Sequence, residues 1–162
     1  HRSAVLYNEK SMMPEHQETV KTVLQELLKH MGIQAEIETE VSEETSIFNL
    51  RTEDSGILIG QYGGNLGALQ YLARVLVHKR LPEGVHFIVD VEGYKKSREE
   101  FLRELARQAA ARVRDTRETL LLKPMASYER RVVHAEISKL PDIVTESVGE
   151  EPERRVVIKL KV

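Results

Sequence analysis

The chain of 162 residues contains no cysteine. That absence removes disulfide cross-links, thiolate metal sites and thiol nucleophiles together, and makes a reducing cytoplasm the expected location. Long apolar runs are missing too: none approaches the roughly 20 residues that span a bilayer, so no membrane insertion is expected. The opening stretch HRSAVLYNEKSMMPEHQ lacks the apolar centre of a secretory signal. It begins with His1 instead of Met, and the chain is expected to be a fragment, a processed form or a tagged chain. No internal repeat and no low-complexity segment is visible. His16, His30, His78 and His86 have no partner at a metal-binding spacing and read as structural or surface residues. Glu36, Glu38, Glu40, Glu43 and Glu44 read as solvated strand and turn positions. No nucleophile stands at motif spacing from a base, so neither an enzyme nor a cofactor is expected.

What is present is a globular composition, 41% hydrophobic and 31% charged. The net charge of −2 hides an uneven distribution. Residues 1–94 carry 8 Lys/Arg against 14 Asp/Glu, residues 95–131 carry 11 against 6, and residues 132–162 carry 5 against 6. An acidic first half and a basic middle imply two units with different surfaces, of which a polyanion should prefer the second.

Apolar spacing predicts a helix after Pro14, with Val20, Val23, Leu24, Leu27, Leu28 and Met31 on one side and Gly32 as its stop. Alternation at Ile33, Ala35 and Ile37 predicts a half-buried strand. The Ser42-Glu43-Glu44-Thr45 turn then leads to a second strand, SIFNLRT. A short apolar segment follows (Ile57, Leu58, Ile59), then a glycine turn and a helix burying Leu66, Leu69, Leu72, Ala73 and Leu76. Val85, Phe87, Val89 and Val91 alternate as a third strand, completing the order α-β-β-α-α-β. The second half predicts a long helix over 95–117 with Phe101, Leu102, Leu105, Ala109 and Val113 on its apolar face. Lys96, Arg103, Arg107 and Arg114 share another face of it. A short strand in LLLKP, a helix over 127–139 (Tyr128, Val132, Val133, Ile137) and two closing strands joined through residues 148–153 complete α-β-α-β-β. The fold class is therefore α+β, built from two small α/β domains.

The glycine turn, GILIGQYGGNLGALQYL, is the first candidate site. Gly-x-x-Gly at the mouth of a helix lets backbone N–H groups and the helix's positive end face an anion with no Cβ in the way. By itself it fits a nucleic-acid clamp, a nucleotide loop or a plain tight turn. No Lys-Ser or Lys-Thr follows, as a nucleotide P-loop requires, and the preceding element is too short for a dinucleotide fold. Its position between two helices, after a hairpin and before a third strand, is that of a loop clamping about four nucleotides.

With LIGQYGGNLGALQYLARVLVHKR in this order of elements, residues 15–94 resemble a KH domain of the prokaryotic, type II arrangement. Residues 95–162, with MASYERRVVHAEI and VTESVGEEPERRVVIKL, resemble the single-stranded nucleic-acid-binding domain defined by Arg-x-x-x-His. The pair in this order resembles the bacterial Jag (SpoIIIJ-associated) family of RNA-binding proteins, over about residues 15–162. Longer members carry a further N-terminal domain; residues 1–14 are expected to be a linker or its remnant. The resemblance implies single-stranded RNA as partner, with single-stranded DNA left open, and pairing with itself or with a small KH-only protein. It also implies a regulatory role in cell-envelope growth, division or sporulation.

Carried onto this sequence, the resemblance marks Gly60, Gln61, Tyr62, Gly63, Gly64 and Asn65 as the clamp. It marks Arg130 and His134, one helical turn apart, as a phosphate-contacting pair, with Lys123, Arg131, Arg154 and Arg155 extending the positive surface. Gln61 and Tyr62 depart from relatives that place a basic residue between the glycines. Losing that charge weakens the salt-dependent part of binding, which a stacking Tyr62 offsets by about 1–3 kcal/mol where it meets a base. A protein-interaction scaffold, with the first domain chiefly a dimerisation module, is the alternative from another class.

Overall fold

The computed structural model describes residues 12–42 and 45–162; the expectations for residues 1–11 and for Glu43 and Glu44 fall outside these. The chain divides between Tyr94 and Lys95 into two compact units, each with its own core.

In the first unit, α1 (Pro14–Met31) starts with Pro at its first turn, where the missing N–H costs nothing. It ends at Gly32, whose φ of 71° lets Ile33 N–H reach back to Leu28 O at 2.9 Å. Strands β1 (Glu36–Val41) and β2 (Ser46–Arg51) pair antiparallel. Helices α2 (Ser55–Ile59) and α3 (Gly64–Arg80), joined through a single 3-10 turn at Gln61–Gly63, then cross over to β3 (Phe87–Val91), which runs parallel to β2. Parallel neighbours require such a crossover, and this one suspends the glycine turn at its far end. Phe48 and Phe87 meet edge to face at 6.0 Å within the core. Gln70, nearly buried, binds the outer edge of β3: its Oε1 accepts from Val89 N–H at 2.6 Å and its Nε2 donates to Phe87 O at 3.2 Å.

The second unit begins at the second residue of α4 (Tyr94–Thr116), which is followed by β4 (Leu120–Leu121), α5 (Ser127–Ile137), β5 (Ile143–Val148) and β6 (Arg155–Leu160). Its sheet is antiparallel throughout, in the order β4-β6-β5. Ile143, Val156 and Ile158 face one side of it and share a core with Leu102, Ala106 and Val113 of α4 and Val133 and Ile137 of α5.

Both element orders agree with the sequence expectation, while several face assignments need correction. Leu72 is 49% exposed and Leu76 only half-buried, because α3 turns Leu66, Leu69, Gln70, Ala73 and Val77 inward. Phe101 is exposed as well, lying under the Arg98 guanidinium at 5.1 Å, a cation over a ring face. Helix α5 stops at Ile137, two residues early, where a turn closes through Leu140 N–H to Ile137 O.

Candidate nucleic-acid interface

The glycine loop is shaped by three residues in the left-handed region: Gly60 (φ 69°), Tyr62 (φ 53°) and Gly63 (φ 73°). Tyr62 bears the steric cost of its Cβ there, about 1–2 kcal/mol, and its side chain is 44% exposed at the tip. The conformation is over-determined from both sides. Leu58 and Leu66, buried on either side of the loop, anchor α2 and α3 to the sheet. Gly63 N–H reaches Gly60 O at 3.3 Å, and Asn65 Nδ2 donates to Ile57 O at 2.8 Å, crossing directly over Gly60. Asn65 is thus a brace of the loop. Gln61, Tyr62, Gly64 and Asn65 are all exposed, and Ile57, whose backbone carbonyl accepts from Asn65, adds an apolar side chain that is 62% exposed on α2. Strained backbone, an exposed N-terminal helix turn and exposed apolar surface together can receive a phosphodiester and an adjoining base.

In the second unit Arg130 and His134 do share one side of α5, and both turn inward. Arg130 is only 7% exposed; it donates to Met125 O at 2.7 Å and pairs with Glu151 at 2.7 Å. His134 stands half-buried against β5, with Nδ1 2.6 Å from Thr145 Oγ1 and Nε2 2.8 Å from Ser147 Oγ. Burial first, and then the charge of Arg130, hold its pKa below the ordinary 6.5. The ring is therefore neutral near pH 7, with one N–H to donate and one lone pair to accept. Arg130 offers charge to an anion only if Glu151 yields, whereas His134, Thr145 and Ser147 form an uncharged donor–acceptor group.

The surrounding cations are not one surface, contrary to the sequence expectation. Arg131 is exposed on α5. Arg154 folds back to Gly149 O at 3.3 Å. Lys123 and Arg155 lie on the other face of the sheet from His134: Ser147 pairs with Val156 on the helix-covered face, so its neighbour Arg155, opposite Val148, points away. Lys123 follows two residues after exposed Leu121, itself opposite Val157, and shares that outward direction. The basic row of α4 is largely neutralised. Arg103 pairs with Glu99 and Glu136, Arg107 with Glu104 and Glu136, and Arg114 with Asp142. Sequence reasoning misses Thr145, Ser147 and Glu151; the i, i+2 hydroxyls of a strand facing an inward histidine are the signal that finds the first two.

These two sites sit in domains with known counterparts. The KH domain of KhpA/KhpB matches residues 17–91, and the R-three-H domain, the Arg-x-x-x-His type, matches residues 100–160. A Clostridium symbiosum protein named RNA-binding protein KhpB is 39% identical over 132 residues, 82% of this chain and 60% of the relative. The protein of that name from Lactiplantibacillus plantarum is 32% identical over 83% of this chain and 42% of its own length. The one from Bacillus subtilis is 30% identical over 87% of this chain and 69% of its own length. The chain thus spans about half of the first two relatives. With a KH domain followed by an Arg-x-x-x-His domain, and relatives of that name matching across both, the chain belongs to the KhpB (Jag) family.

Proposed function

We propose that this chain binds single-stranded RNA without catalysis, gripping a short segment at Gly60–Gly63 and the start of α3 and a second segment on the Arg-x-x-x-His domain. The observation that carries this reading is the loop itself: three left-handed residues, braced by Asn65, present Tyr62 and the first turn of a 17-residue helix to solvent. The relatives' name, RNA-binding protein KhpB, supports RNA as the polymer. Because Gln61 and Tyr62 are uncharged, the first unit binds weakly and with little salt dependence, and the second supplies most of the electrostatic hold. Covalent linkage of two weak modules raises the affinity of the whole. A cytoplasmic regulatory role in envelope growth, division or sporulation rests on the family resemblance; no helix among the described residues is long and apolar enough to cross a membrane.

The test is a titration of fluorescent single-stranded RNA and DNA oligomers at several salt concentrations. Gly63→Asp is expected to weaken binding, by placing both a Cβ and a negative charge in a left-handed position facing phosphate. If Gly63→Asp binds as the unaltered chain does, the clamp assignment is wrong.

A second reading has its own observation. Tyr71, Leu72 and Val75 are 65%, 49% and 38% exposed along one side of α3. Such an uncovered apolar stripe supports a dimerisation surface, for a second copy or a small KH-only partner, and with it the scaffold alternative. Sedimentation of Leu72→Asp against the unaltered chain decides it.

A further inference from the structure

We propose that the solvent face of the sheet in the Arg-x-x-x-His domain, the face opposite Arg130 and His134, is a track for the sugar-phosphate backbone of a single RNA strand. This inference rests on the RNA-binding reading above and specifies where on the second domain the strand lies.

The placement follows from strand register. Opposed residues in an antiparallel pair point to the same face. Thr145 opposite Ile158 and Ser147 opposite Val156 face the helices. The alternate set, Val144 with Lys159, Glu146 with Val157 and Val148 with Arg155, faces away. On the third strand Leu121, opposite Val157, joins this outward set, and Lys123 extends it. Both helices contribute to the core on the opposite face. The outward face therefore carries Lys123, Arg155 and Lys159 around a floor of Leu121 and three half-buried valines. Lys161 continues the same alternation one step past β6. Glu146 is the one acidic residue among these register positions of β5 and β6, 3.6 Å from Lys159.

Charge chooses the occupant. Four of the five arginines of α4 pair with carboxylates of their own domain, Arg98 with Glu129, Arg103 and Arg107 with Glu136, and Arg114 with Asp142, while Arg112 is exposed on the helix. Arg130 is capped by Glu151. On the outward face Arg155 pairs with Glu153 at 3.3 Å, but that acid is 74% exposed; Lys123 is exposed on β4's extension, and Lys159 remains 48% exposed beside its acid. Arg155 and Lys159, four residues apart on β6 with Val157 between them, match a backbone of spaced phosphates whose sugars and bases lie on apolar ground. A three-stranded sheet face accepts an extended single strand more readily than the convex side of a duplex.

The experiment is a salt titration of single-stranded RNA binding on the whole chain carrying Lys123→Gln with Lys159→Gln, and separately Glu146→Gln. The double variant is expected to bind more weakly and to lose about 1.4 from the slope of log affinity against log salt, two phosphate contacts at about 0.7 each. Glu146→Gln is expected to bind more tightly, a gain that misfolding cannot imitate. Amide shifts on adding RNA are expected to centre on residues 121–123 and 155–159. An unchanged slope in the double variant, with shifts confined to α5 and β5, overturns the track while leaving RNA binding standing. A change of sedimentation in place of a change in RNA affinity also overturns it, assigning the face to a protein contact. Failure of the unaltered chain to bind any single-stranded RNA overturns the track and the functional reading together.

Discussion

The Glu151 carboxylate lies 2.7 Å from the guanidinium of Arg130, so an anion of the protein already occupies the most buried cation of the Arg-x-x-x-His domain. A phosphate reaching Arg130 on the helix-covered side, apart from the strand on the outer sheet face, has to displace it, and exposed Glu150 in the same hairpin loop adds negative charge. Removing the competitor is expected to help binding. A carboxylate that is more than half exposed contributes about 0.2–1 kcal/mol in such a pair, so Glu151→Gln is expected to tighten single-stranded RNA binding by up to about fivefold. The measurement is fluorescence anisotropy at low salt. Weaker binding in Glu151→Gln means the carboxylate orders Arg130 for its ligand instead of competing with it.

Stability of the same domain hangs on a second carboxylate. Glu129 is fully buried; its Oε1 accepts from Arg98 Nε at 2.7 Å and its Oε2 from Ala126 N–H at 3.0 Å. One side chain thereby caps the start of α5 and ties α5 to α4. Glu129→Gln keeps the shape and one acceptor but places an amide donor against another donor. A loss of about 1–3 kcal/mol is expected, read as a lowered midpoint in urea. A midpoint within error of the unaltered chain contradicts this role.

The loop yields a coupled prediction. A Cβ built on Gly60 falls 2.5 Å from Asn65 Cγ, and Gly60 sits at φ 69°, ψ −177°, a region closed to other residues. Gly60→Ala is expected to cost about 1–3 kcal/mol from backbone strain, with more from the collision. Asn65→Ala removes the collision but also the bond to Ile57 O, so the double variant is expected to be less damaged than the sum of the singles. A double-mutant cycle by thermal melting checks this, and additivity rules out the brace.

How much of this was legible in the sequence depends on the range of the interaction. Element order comes through because apolar periodicity is local: Val20 to Leu28 and Phe87 to Val91 announce a helix and a strand whatever surrounds them. The glycine loop and the Arg130–His134 spacing are legible for the same reason. Which cations remain free is not, because Glu136 lies 33 residues from Arg103 and Glu129 31 from Arg98, and nothing local says that they meet. Basic character alone groups Lys123 and Arg155 with Arg130; only the register of the sheet reveals that they face the other way. Phe101 looks like core because its period fits, yet a cation lying on its ring lets it stay at the surface.

The pH dependence of the Arg-x-x-x-His domain follows from two groups and has the same sign in both. Hydrogen bonding to Lys139 is the largest cause that holds Glu136 at about 2, from an ordinary 4.5, with Arg107 and Arg103 adding to it and burial opposing. The unfolded chain therefore takes up this proton first, and the stabilisation present above pH 4.5 is lost progressively as pH falls toward 2. His134, held below 6.5 by burial and by Arg130, likewise protonates first in the unfolded chain, so stability begins to fall as pH drops through 6.5. Melting temperatures measured from about pH 8 to pH 3 are expected to decline in two stages. Glu136→Gln is expected to start lower and to lose the steep acid stage, while His134→Gln, which can still bond Thr145 and Ser147, flattens the stage near neutrality. If the single variants leave the corresponding stage unchanged, other carboxylates carry the acid sensitivity and the Glu136 cluster is a surface network without consequence for folding.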